Sequence, residues 1–295
     1  RTHLNMDDWI NTLGQGLLLG GMYALFATGL SLSFGIMRLI NVAHGDFIVL
    51  AAFAAIALVE PLAIGPFATL PLVVLLMAGF GYLLQRLFLN RTLGEDPLRP
   101  LLVTFGVSIV IQNALLEIFS ADMRGLDAGP IETASIPLGG SVAVGVFPLL
   151  VAATAVGVIG ALQWLFYRTA LGRAFRATAD DHRTAQLMGI DNRRVYALAM
   201  ALATAVVAIA GVYLAIRSGI GPSDGPQRLL FAFEAVAIGG LGSLWGTLAG
   251  GMILGVAQAV GLWLDPGWGA VSGHLAFLLV VVLRPNGLFP KTRDK

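Results

Sequence analysis

Apolar runs of about 20 residues, nearly free of charge, recur along the whole chain, and this repetition constrains the fold more than any single motif. A helix of that length crosses a hydrocarbon layer about 30 Å thick. Inside such a layer the backbone must satisfy its own hydrogen bonds, which uninterrupted runs do as helices. The runs fall at residues 11–34, 42–59, 64–85, 100–119, 143–166, 195–216, 229–243, 245–264 and 270–284. The expected fold is therefore an all-α integral membrane bundle, one transmembrane domain over residues 1–295, with eight to nine spanning helices, some of them broken or short. Only 12% of residues are charged, against about 25% in soluble chains.

The one long polar stretch, Arg168 to Arg194, must sit in water. It holds six arginines (Arg168, Arg173, Arg176, Arg183, Arg193, Arg194) and the aspartates Asp180, Asp181 and Asp191. Its small and apolar residues, among them Ala174, Ala177, Ala185, Leu187 and Met188, fall at helical spacing. That pattern predicts an amphipathic helix, or two short ones broken near Asp180, stopping at Gly189. With nine crossings and this loop in the cytoplasm, Arg38, Arg86, Arg91, Arg99, Arg284, Lys291, Arg293 and Lys295 are placed inside as well. Fourteen of the 18 basic residues then face the cytoplasm, leaving Arg1, Arg124, Arg217 and Arg228 outside, as the positive-inside rule expects. The same parity makes the C-terminus cytoplasmic. Residues 229–264 must be two elements, split by the glycines at 239–242, of which one could be re-entrant. Arg1 to Asn5 precede Met6, where a native start is expected, and receive no role.

Polar residues at membrane depth are expensive and usually face a bundle interior or a wet cavity. Arg38 to Asp46 interrupts the first hydrophobic hairpin, with Asn41 expected to cap the helix that follows and Asp46 in its first turn. His44 reads equally as a packing residue satisfied by a carbonyl or as a cavity residue, with Asp46 fixing its ring. Gln112, Asn113 and Glu117 cluster toward one end of their span, and Glu234 lies in the short span beginning at Leu229. Either carboxylate could meet a solute ammonium group or pair internally. Asn41, His44, Asp46, Gln112, Asn113, Glu117 and Glu234 are thus the candidate solute pathway. No metal site is expected. Glycines four apart, Gly16 with Gly20, Gly246 with Gly250 and Gly251 with Gly255, predict close helix packing.

Catalysis by this chain is not expected. A phosphate-binding loop needs a lysine after a glycine-rich turn, and the only lysines are Lys291 and Lys295. With no cysteine, neither a disulfide framework nor a thiolate metal site can form.

Three stretches carry a likeness to a known family. They are Gly20-Gly-Met-Tyr-Ala-Leu25 with Ile40-Asn-Val-Ala-His-Gly-Asp46, Leu171-Gly-Arg-Ala-Phe-Arg-Ala177 with Ala185-Gln-Leu-Met-Gly-Ile190, and Gly239-Gly-Leu-Gly-Ser-Leu-Trp-Gly246 with Arg284-Pro-Asn-Gly287. The chain resembles the membrane permease subunit of the ATP-binding-cassette importers for branched-chain amino acids, from Gly14 to Pro290. The resemblance implies a bacterial inner-membrane permease with a second permease subunit, as a homodimer or heterodimer. Cytoplasmic ATPase subunits holding ATP and Mg and a periplasmic solute-binding protein would complete the importer. It makes residues 168–194 the coupling loop, whose Ala-x-x-x-Gly core matches Ala185 and Gly189, with Arg173, Arg176 and Asp180 beside it. Arg183 and Thr184 stand where the family has Glu and Ala. Ala185 and Gly189 are expected on one face as a shallow knob for a groove in the ATPase, with the arginines meeting carboxylates there. A plainer reading holds the loop at anionic membrane lipid headgroups. No bound cofactor and no nucleic-acid partner are expected. Urea, short amides or aromatic acids are alternative solutes, and an ion-coupled secondary transporter or channel is the alternative class.

Overall fold

The computed structural model describes residues 6–92, 98–140 and 142–289. Arg1, Lys291, Arg293 and Lys295, used above to sort charge by side, lie outside the described residues. Eleven α-helices in chain order make up the described part: α1 Met6–Met37, α2 His44–Leu62, α3 Pro66–Leu87, α4 Leu98–Phe119, α5 Val146–Arg168, α6 Ala170–Asp180, α7 His182–Leu187, α8 Asn192–Arg217, α9 Gly225–Gly239, α10 Leu244–Leu264 and α11 Gly269–Leu283. A small antiparallel hairpin, β1 Ser135–Gly139 and β2 Val142–Gly145, precedes α5. The hairpin strands, of five and four residues, are too short to show an alternating pattern in the sequence. Among the described residues eight helical segments are long and apolar enough to cross a membrane, α11 counted from Pro266, and α9 falls short of that length.

One end of the bundle carries the β hairpin and the other carries α6 and α7. α1, α8, α9 and α10 form the buried centre, with α3, α4, α5 and α11 around them exposing apolar faces. Glycines allow the centre to close. A methyl on Gly16 would lie 2.7 Å from Val256 Cα of α10, and one on Gly251 would lie 2.7 Å from the Gly20 carbonyl of α1. On the other side of α10 a methyl on Gly250 would lie 2.8 Å from the Gly239 nitrogen of α9. Helix backbones this close trade side-chain bulk for dispersion along their whole contact.

Two helices are interrupted inside the bundle. After α1 the chain turns at Arg38 (φ 51°) and climbs back in extended form, with Leu39, Asn41 and Ala43 buried, before α2 begins. The first residue of α2, His44, bonds the Phe26 carbonyl of α1. Phe26 lies 11 residues before the end of α1 at Met37, so α2 starts about 16 Å up that helix. The expected helical run from residue 42 is correct, but its start lies at mid-depth rather than at a bundle end. α9 mirrors it: the chain pairs with the hairpin-end loop at Ile220 (Ile220 N to Arg124 O, 2.8 Å), enters the bundle, and turns helical at Gly225. It leaves at the opposite end, where the Ile238 and Gly239 carbonyls accept from Leu288 and Phe289 just past α11. The short α9 with its lead-in therefore makes the ninth passage, and Gly240 (φ 103°) with Gly242 (φ 77°) turns the chain into α10.

Candidate functional site: a buried polar junction and a water-facing loop

The interrupted ends of α2 and α9 meet. A methyl on Gly45 would collide with the Gly225 carbonyl, and one on Gly225 with the Asp46 carboxylate. Only bare backbone lets the two helix starts cross, and each brings the positive end of its helix dipole to the crossing. Asp46 sits in that field, 1% exposed, and its Oδ1 accepts from Gln112 Nε2 of α4 at 2.9 Å. The same Gln112 nitrogen lies 3.2 Å from the Ser108 hydroxyl one turn earlier. Thr104, another turn back, accepts from the Val42 amide at 3.2 Å, so α4 lines the extended lead-in with hydroxyl and amide groups.

Asn41 does not cap α2. Its Oδ1 accepts from the Ala43 amide at 3.0 Å, forming a turn ahead of the helix, and the N-cap position belongs to Ala43, which has no side-chain cap. His44 is the carbonyl-satisfied packing residue of the two readings above, with Nε2 donating to Phe26 O at 2.7 Å. The expectation that Asp46 fixes this ring is overturned, because that carboxylate turns to Gln112 instead. Asn113 and Glu117 also leave the junction. Both are exposed on the outer face of α4, where Asn113 donates to its own helix at Ile109 O, 2.8 Å away. Neighbours on a helix point about 100° apart, which sends Gln112 inward and Asn113 outward.

Glu234 is buried at 1% exposure, and its partner is His274 of α11, whose Nδ1 lies 2.5 Å from Oε1. The His274 ring stacks on Phe231, centroids 6.0 Å apart, and Phe231 packs on Tyr23 of α1 at 5.2 Å. The Tyr23 hydroxyl donates to Gln258 Oε1 of α10. Glu234 Oε2 and Gln258 Nε2 remain buried without a protein partner among the described residues. Sequence reasoning found Glu234 but not Tyr23, Gln258 or His274. The pair Glu234 and His274 is separated by 40 residues, and the only local signal was an ionisable residue in each of two apolar runs.

The Arg168–Arg194 stretch folds as two short helices broken at Asp181. Thr169 caps α6 through Gly172, and Gly172, Phe175 and Thr178 form its buried face. Phe175 packs on Phe166 of α5, centroids 5.5 Å apart, and Arg176 lies 4.8 Å over the Tyr167 ring. Arg173 and Asp180 are exposed. The Thr184 hydroxyl and amide, with the Arg183 amide, bond the Asp181 carboxylate and hold it below the usual carboxylate range. At the other end of α7, Ile190 N donates to Ala185 O and Gly189 N to Gln186 O, both at 3.0 Å, with Gly189 at φ 87°. This double bond pattern with a left-handed glycine is a Schellman cap.

The cap settles which way the loop faces, and it corrects the expected knob. Ala185 is buried at 4% and points back into the loop. Leu187 and Met188, at 87% and 79% exposure, form the projecting tip, and Gly189 supplies the turn behind it. The tip is tied to the bundle through Asn192, which donates to the His182 carbonyl at 2.6 Å and lies 3.4 Å from the Thr178 hydroxyl.

A chain otherwise built to hide apolar surface in lipid offers two large apolar side chains to water on a rigid support, and at its centre it keeps polar groups out of that lipid. Those are the marks of a membrane permease. Over residues 12–283 the sequence matches the family described as branched-chain amino acid transport system, permease component, and the chain belongs to that family. It is 31% identical to the high-affinity branched-chain amino acid transport system permease protein BraD of Pseudomonas aeruginosa, over 95% of each chain. It is 27% identical to the corresponding permease protein LivH of Escherichia coli K12, again over 95% of each. Among solved structures, PsaBC from Streptococcus pneumoniae in complex with Fab shares the fold, with a TM-score of 0.50 and 14% identity over 93% of this chain and 92% of that one.

Proposed function

We propose that this chain is the membrane-spanning subunit of an ATP-driven importer for branched-chain amino acids or solutes of similar size. Membership of the permease family supports the class, and the names of its relatives support the solute. Within that reading the chain hydrolyses nothing itself. ATP and Mg belong to two cytoplasmic ATPase subunits, a second permease subunit completes the pathway, and a periplasmic binding protein delivers solute at the hairpin end. The loop end and the C-terminus then face the cytoplasm of a bacterial inner membrane.

The exposed tip Leu187–Met188 carries the coupling assignment. Two apolar side chains of this size, held in water by a Schellman cap and a carboxylate cap, suit a groove in a partner. Arg173, Arg176 and Asp180 of α6 would meet the same partner, while Ala185 and Gly189 shape the tip from behind. ATPase closure pulling on the tip would act through α6 on α5 and through Asn192 on α8. α8 runs on to the junction: a methyl on its Gly211 would lie 2.5 Å from the Ile48 carbonyl of α2. A shift of α8 therefore cannot leave the start of α2 where it was, and Asp46 with Gln112 stands at that start. Asp46, Gln112, Glu234 and His274 are the polar groups a solute would meet.

The test is reconstitution of the permease with its ATPase and binding protein in liposomes. Leucine uptake should require ATP inside the vesicle and all partners. Uptake by the purified chain on an ion gradient alone would reject the reading in favour of a secondary transporter. Because the chain has no cysteine, a single Met188→Cys substitution, labelled only from the loop side in vesicles of the permease without its ATPase, fixes orientation.

A further inference from the structure

At the loop end a cavity of about 600 Å³ opens between the end of α3 and the start of α8, lined by Tyr82, Arg86, Asn90, Arg91, Asp191, Arg193 and Arg194. Four of these seven side chains are guanidinium groups and one is a carboxylate. That carboxylate is already engaged, since Asp191 caps α8 by accepting from the Arg193 and Arg194 amides at 3.1 and 3.3 Å. Arg91, Arg193 and Arg194 make no ion pair among the described residues, and Arg86 donates to the Tyr82 hydroxyl at 2.9 Å. We propose that this cavity binds the phosphate headgroup of an anionic membrane lipid, and through it ties α3 to the root of the 168–194 loop.

Three observations point to that ligand. Arg193 and Arg194 occupy the first turn of α8, where the helix dipole disfavours cations; an anion in the cavity reverses the sign of that local interaction. The walls are held in place before anything binds. Buried Gln85 donates to Asn90 Oδ1 at 3.0 Å, and Asn90 Nδ2 donates to the Arg193 carbonyl at 3.0 Å, joining segments 103 residues apart. Finally, the outer face of α3 beside the cavity is apolar: Leu83, Leu87 and Phe88 are about half exposed. A lipid satisfies both surfaces at once, phosphate to the arginines and acyl chain along α3, with Tyr82 at the boundary where amphipathic rings settle. Free phosphate or an acidic protein surface would engage the arginines but make no use of the adjoining apolar face.

The experiment measures phosphatidylglycerol retained by the full-length permease after delipidation in neutral detergent, by native mass spectrometry and by exchange from nanodiscs of phosphatidylcholine with a minority of phosphatidylglycerol. Replacing both Arg193→Gln and Arg194→Gln should lower retention on the order of thirtyfold, at about one kcal/mol for each of the two basic residues near an anionic surface. Arg86→Gln with Arg91→Gln, on the opposite wall, should do the same, so that misfolding of one pair leaves the other decisive. The charge-matched pair Arg38→Gln and Arg168→Gln should retain lipid like the wild type. Equal loss in that control, or no loss in either cavity pair, overturns the proposal. Displacement of the lipid by millimolar inorganic phosphate assigns the site to a small anion instead. Lost ATPase binding in lipid-free detergent, with lipid retention unchanged, assigns it to a protein contact.

Discussion

At the α2–α9 junction, carboxylate and imidazole groups occupy the driest part of the molecule, each given a partner by a distant segment. In the 168–194 loop, two large apolar side chains stand in the wettest part with nothing over them. Both placements cost free energy, several kcal/mol for each unpaired polar group in hydrocarbon and roughly 1.5–3 kcal/mol for each large apolar side chain left in water. Most of the first cost is offset within the chain, by Gln112 for Asp46, Phe26 O for His44 and His274 for Glu234, with Glu234 Oε2 and Gln258 Nε2 left over among the described residues. The second is not, so under the proposed function the loop relies on another protein, whereas the junction rests chiefly on its own fold. Damage to the junction should therefore appear as lost stability, and damage to the tip as lost partnership.

That contrast can be broken most directly at the tip. Leu187→Glu with Met188→Glu should abolish ATPase co-purification and reduce uptake more than tenfold while leaving the unfolding temperature of the isolated permease unchanged; a drop in that temperature would make the tip part of the fold. Gly45→Ala should act in reverse. Its methyl meets Gly225 backbone rather than a movable side chain, so a loss of about 1–3 kcal/mol or more is expected, read as reduced unfolding temperature in detergent with ATPase binding retained by the folded fraction. Gln112→Leu leaves the Asp46 carboxylate without its amide donor, for a cost of about 1–3 kcal/mol, and Asp46→Asn in the same chain should recover part of it. If Gln112→Leu alone is neutral, the junction is wetter than its burial implies.

The smallest effect is expected at Asp181. Its carboxylate is held below its ordinary range, chiefly by Thr184. The cap is therefore intact above the unfolded-state value near 4 and is lost as pH falls through the lower folded value. Asp181→Asn should raise amide exchange in α7 at neutral pH, and the difference from wild type should shrink only in strong acid.

Much of this contrast was legible in the sequence. Length and apolarity marked the spans, the polar interruption at residues 38–46 marked the junction, and charge density marked the loop, because each is a property of a contiguous segment. What escaped was direction and partnership. An apolar run looks the same whether its helix begins at a membrane surface or about 16 Å inside the bundle, so the deep start of α2 was hidden. Gln112 and Asn113 are adjacent in sequence and part ways in space. Ala185 matched a family pattern, yet it faces inward, and the exposed residues two and three positions later carry the surface. His274 acquires meaning only from Glu234, through a contact no local window contains.

In the proposed docking role the tip has two things to specify, and the glycine behind it separates them. Aim is written in one backbone torsion at Gly189 and the two hydrogen bonds that accompany it, whereas affinity is written in the side chains of Leu187 and Met188. Under that proposal, substituting the latter would retune which motor is engaged without redirecting the lever. Substituting the glycine would misdirect a tip whose chemistry was still correct.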